Sequence, residues 1–157
     1  MKKVSLIVFI ALMGIGSLKA QDYKTGIGVR GGFYSGLSIK HFVSGSDAFE
    51  GVIATHYRGV VLAAMYQKHT NAFDAPGLNW YYGPGAHLGF YDRRYSPWYD
   101  DSTGNFSTIG VLGVLGLEYK IEDLPITVGF DVTPALNLIP NVQFWIGAGV
   151  TLRYTIN

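Results

Sequence analysis

From Lys24 onward, apolar side chains alternate with small or polar ones in runs separated by turn residues. This is the period-two pattern of strands with two unlike faces. The last run is the clearest. Phe144, Ile146, Ala148, Val150, Leu152, Tyr154 and Ile156 share one face, against Trp145, Gly147, Gly149, Thr151, Arg153 and Thr155. Seven more runs precede it, near 24–34, 37–43, 48–57, 60–69, 78–91, 107–120 and 126–135. In them Ile27 and Val29 oppose Gly28 and Arg30, Leu37 and Ile39 oppose Ser38 and Lys40, and Phe49 and Ile53 oppose Glu50 and Val52. Further on, Leu117 and Tyr119 oppose Gly116 and Glu118, and Val128 and Phe130 oppose Gly129 and Asp131. Segments 34–36, 44–47, 56–59 and 122–125 carry the Gly, Ser, Asp or Pro that turns need. None could hold the crossover helix that a parallel sheet requires. The pattern therefore predicts an all-β, eight-stranded antiparallel up-and-down barrel.

Composition decides which side of that barrel is apolar. Charged residues make up 15% of the chain, aromatics another 15%, and there are 21 glycines; a soluble domain carries about 25% charged residues. After residue 20 no apolar stretch is long enough for a membrane helix, and a closed barrel is the other way to cross a bilayer. Residues 1–20 read as a cleaved export signal. Lys2 and Lys3 precede an apolar run from Val4 to Ile15, and Ala20 offers a small residue for cleavage before Gln21. Residues 21–157 are then the barrel domain, with nine basic and eleven acidic residues and a net charge of −2. So weak a balance gives no basis for a nucleic acid partner. The absence of cysteine excludes disulfides, thiolate metal sites, a thiol nucleophile and a lipidated N-terminus.

The non-apolar face is dominated by glycine, with about one ionisable residue per strand, which suits the crowded inner wall of a narrow barrel. Aromatics gather at the run margins of the apolar face: Phe33, Tyr57, Tyr66, Trp80, Tyr82, Phe90, Tyr119, Phe144 and Tyr154. Such margins match the interfacial girdles of membrane barrels. With the apolar face toward lipid, Arg30, Lys40, Glu50, Glu118, Asp131 and Arg153 point inward and must pair, because an isolated buried ion is very costly. His87 or Tyr81 would complete the hydrogen bonding. Eight strands enclose only enough space for side chains, so this network plugs the lumen.

Three stretches, Gly31 to Phe42, Pro76 to Gly89 and Pro134 to Leu138, resemble small outer-membrane β-barrel proteins common in Bacteroidota, and the similarity spans the mature chain. The resemblance implies an eight-stranded barrel in the Gram-negative outer membrane. It also implies periplasmic termini, outer-membrane lipid as surroundings and insertion by the outer-membrane assembly machinery. Members often end in an aromatic; this chain ends in Asn157, with Tyr154 and Ile156 keeping the alternating signal.

That orientation turns the 92–105 connection outward. Its Arg93, Arg94, Tyr95, Trp98 and Tyr99 form a candidate surface-recognition loop for an extracellular ligand. Catalytic, cofactor and metal sites are not expected. His41, His56, His69 and His87 have no ligand partner at short spacing, and no serine context marks a nucleophile. The expected role is structural or envelope-maintaining, with adhesion through 92–105 and lipid modification as the alternatives.

Overall fold

The structure is a computed structural model that describes residues 23–56, 58–92 and 105–157, with Asp92 and Asn105 placed by backbone alone. The export signal expected over 1–20, the marginal aromatic Tyr57, and Arg93, Arg94, Tyr95, Trp98 and Tyr99 lie outside the described residues.

Eight strands follow one another: β1 Thr25–Gly32, β2 Ser35–Phe42, β3 Asp47–His56, β4 Gly59–Asn71, β5 Leu78–Asp92, β6 Asn105–Lys120, β7 Ile126–Ile139 and β8 Gln143–Ile156. Each pairs antiparallel with the next, and β8 returns to β1 with Arg153 opposite Gly28, closing the sheet. Closure leaves no edge strand to pair with another chain. Register partners traced once round the wall run from Gly26 through Lys40, Glu50, Met65, Gly85, Leu112 and Ala135 to Trp145. Gly26 pairs directly with Thr155, ten residues beyond Trp145. A stagger of ten over eight strands, at about 3.3 Å per residue and about 4.8 Å between strands, tilts the strands by about 40° and sets a radius of about 8 Å.

The runs of the sequence correspond to the strands, with different margins. β4 and β7 extend past the expected 69 and 135, to Asn71 and Ile139. Pro134 is no stop signal because it sits within β7, opposite Ile146, with its Cγ toward Gly113 of β6. Pro84 of β5 pairs with the same glycine. The connection between β1 and β2 is also tighter than expected, two residues in place of three, since β2 already begins at Ser35. At the end where β1 starts and β8 finishes, the termini end of the described residues, the connections are 43–46, 72–77 and 121–125. At the far end they are 33–34, 57–58 and 140–142, with only 93–104 long.

Polarity is inverted relative to a soluble domain. Leu115, Leu152 and Val128 are 52%, 50% and 38% exposed on the outer wall, while Asp131 and Arg153 are each 1% exposed inside. Of the expected marginal aromatics, Tyr66, Tyr82, Tyr119 and Tyr154 face outward in the strand halves nearer the termini, and Phe90 and Phe144 in the far halves. Trp80 is half-buried beside Phe73.

Phe33 corrects the sequence reading. Gly31 and Gly32 interrupt the alternation, and Gly32 takes φ +116°, which favours glycine. The chain therefore turns Phe33 over the mouth, stacked on Trp145 with ring centroids 4.3 Å apart. The inner wall is also less uniform than glycine and ions. In the half away from the termini it carries Tyr34, Val52, Ala54, Val61, Ala63, Tyr91, Phe106 and Leu112 as one buried apolar cluster, against which Phe33 and Trp145 pack.

Candidate functional site

Strand alternation and the stagger place all six ionisable residues singled out in the sequence on the inner wall, where all are nearly fully buried. They form two groups, each of zero net formal charge. In the first, Arg153 of β8 spans two carboxylates. Its Nη1 donates to Glu118 Oε2 at 2.7 Å, its Nη2 to Glu50 Oε1, and its Nε to Ser38 Oγ at 3.0 Å. Lys40 Nζ donates to Glu118 Oε2 at 3.0 Å and lies 3.9 Å from Glu50 Oε2. Neutral donors fill the remaining acceptor positions. Tyr23 Oη donates to Glu118 Oε1 at 2.6 Å, Ser38 Oγ to Glu50 Oε1 at 2.7 Å, and Gln67 Nε2 to Glu50 Oε2 at 2.6 Å.

The second group joins β1 to β7. Arg30 forms a two-pronged pair with Asp131, both N–O distances being 2.5 Å. A guanidinium fork matches a carboxylate in this way because both are planar with similar spacing. Tyr81 Oη of β5 adds a third donor to Asp131 at 2.9 Å, and Thr133 Oγ1 a fourth at 3.0 Å. The Tyr81 ring also connects the groups, since Lys40 Nζ lies 4.2 Å from its centroid. Together the two groups draw a side chain from every strand. The contacts pull the wall together across the axis, where backbone ladders act only between neighbours.

Of the two residues expected to complete the network, Tyr81 does so and His87 does not. His87 Nε2 instead bonds Asn137 Oδ1 at 2.7 Å, farther along the lumen. Arg30 and Arg153 sit on adjoining strands but serve different carboxylates. Ser38, Gln67, Thr133 and Tyr23 were not singled out from the sequence. Ser38 and Gln67 were nonetheless legible, since each shares its strand's inward set with Lys40 or His69. Tyr23 precedes the first run and gave no periodic signal. Glycine supplies the space these side chains need. A Cβ on Gly116 would lie 2.5 Å from Tyr81 Cζ and 2.7 Å from Asp131 Cβ.

Aromatic groups flank the ions. At the termini end Tyr23 packs edge-on against Phe42 at 5.1 Å, and His69 stacks on Tyr81 at 5.3 Å. At the other mouth Phe33, Tyr34, His56 and Trp145 contact one another. Among the described residues no three His, Asp or Glu side chains are grouped to hold a metal ion. His41 stands apart on the outer wall, its Nδ1 2.9 Å from Thr25 Oγ1.

The closed sheet and its stagger define the class, an eight-stranded antiparallel up-and-down β-barrel. No protein-family model and no curated protein matches the sequence. Among solved structures the chain is similar to the N-terminal β-barrel domain of Pseudomonas aeruginosa OprF, with a TM-score of 0.58 and 17% sequence identity. The match covers 83% of this chain and 95% of that domain. At this identity the likeness is one of fold.

Proposed function

We propose that the chain is an integral outer-membrane β-barrel protein with a structural or envelope-maintaining role and a lumen plugged by its own side chains. The carrying observation is the inverted polarity. A continuous band of Leu, Val, Ile and Phe covers the outer wall, and six charges are matched within. Such a band far exceeds the few hundred Å² of apolar patch that a soluble monomer exposes. In lipid, closure satisfies the backbone and the band meets hydrocarbon. The fold similarity to an outer-membrane barrel domain supports the same reading. Dimensions support the plug, since eight strands leave room for side chains and here the room holds ion pairs between two aromatic groups.

Cell fractionation followed by a heat-modifiability gel tests this. The expected result is a detergent-extracted outer-membrane band whose mobility shifts on boiling. Recovery in the soluble periplasm would overturn the membrane assignment. Purified protein in planar bilayers tests the plug separately, because steady ion conductance by the folded barrel contradicts it.

A further inference from the structure

The far mouth holds a feature that the lumen network does not use. A cleft of about 190 Å³ opens between the start of β6, the end of β7 and the 140–142 turn, lined by Phe106, Thr108, Asn137, Pro140, Val142 and Gln143, among others. Its polar lining is uncharged. Thr108, Asn137, Asn141 and Gln143 line it with one hydroxyl and three carboxamides, and a carboxamide carries both donors and an acceptor. Asn137 is only 5% exposed, and His87, 2% exposed behind it, bonds its Oδ1 at 2.7 Å. That bond engages Oδ1 and holds the carboxamide in place. Phe106, Pro140 and Val142 add apolar wall.

We infer that this cleft is a binding site for a neutral sugar ring. Hydroxyls that donate and accept match hydroxyl and carboxamide side chains, and the C–H face of a pyranose matches the proline and valine. Among the described residues no cation lines the cleft, so a phosphate or carboxylate ligand would meet only neutral groups there, at a large desolvation cost. The volume falls below the roughly 300–1,000 Å³ of drug-sized sites, which limits the occupant to a single ring. His87 acts as a positioning residue through Asn137. The site needs no particular orientation in a membrane.

The test uses the full chain folded in a detergent without sugar headgroups. Methyl β-D-glucopyranoside is titrated and backbone amide NMR shifts are followed, with glycerol and inorganic phosphate as comparison probes. Saturable shifts are expected at Thr108, Asn137, Asn141, Val142 and Gln143, with neither comparison probe reproducing them. Gln143→Ala, at the rim, weakens binding up to about tenfold, the worth of one hydrogen bond. Asn137→Leu weakens it at least as much, with heat-modifiability reporting that the barrel still folds. Linear, unsaturated shifts, equal shifts with glycerol or phosphate, or unchanged affinity in Gln143→Ala would each overturn the assignment.

Discussion

Arg153 holds two carboxylates at once, and its removal affects more than one contact. Arg153→Met leaves Glu50 and Glu118, both buried, with Lys40 as their only cation in that group. Stranding a buried charge costs about 3–5 kcal/mol. Denaturant unfolding in micelles should show a loss of that size, and a loss below about 1 kcal/mol would mean that the network is hydrated. Arg30 and Asp131 form a more self-contained pair. Arg30→Leu strands Asp131, whereas Arg30→Leu with Asp131→Leu removes both charges together. The double variant should therefore be more stable than Arg30→Leu alone, a coupling that a double-mutant cycle measures.

On β8, inward and outward residues alternate without a break from Gly147 to Ile156, so each side chain's environment is set by parity. Leu152→Arg places a cation on the apolar band beside buried Arg153 and should cost about 2–4 kcal/mol, with a smaller cost for Tyr154→Arg nearer the rim. Equal costs at both positions, read from folding titrations into lipid vesicles, would count against a bilayer around the band. The same parity made strand number and facing legible in the sequence, for unbroken alternation survives any surroundings. It fails at Gly31–Gly32, where a glycine conformation resets the phase and sends Phe33 inward. It was also silent about pairing. Alternation puts Glu118 and Arg153 on inner walls, but their meeting depends on tilt and stagger, which arise only when all eight strands close. Val52, Val61 and Leu112 show a third limit. Apolar residues on the inward phase are unremarkable in a pattern, yet they build the apolar half of the interior.

At the scale of the whole barrel, five ion pairs among the described residues lie within the wall, between side chains at most 4% exposed. Mobile ions screen exposed charges within about 10 Å at 0.1 M salt but reach buried ones far less. The temperature of the heat-modifiability transition should therefore hardly move between low and high sodium chloride, and a fall of many degrees would show the network open to bulk solvent. The two groups also depend on different stages of the chain. Arg30 and Asp131 are both present once β7 exists, whereas Glu50 and Glu118 have only Lys40 until β8 arrives with Arg153. A half-built wall lacking its last strand thus carries an uncancelled negative charge facing its own axis. The strand that completes the cylinder also neutralises that charge, so any unfinished or strand-deleted form is penalised electrostatically as well as by its open edges.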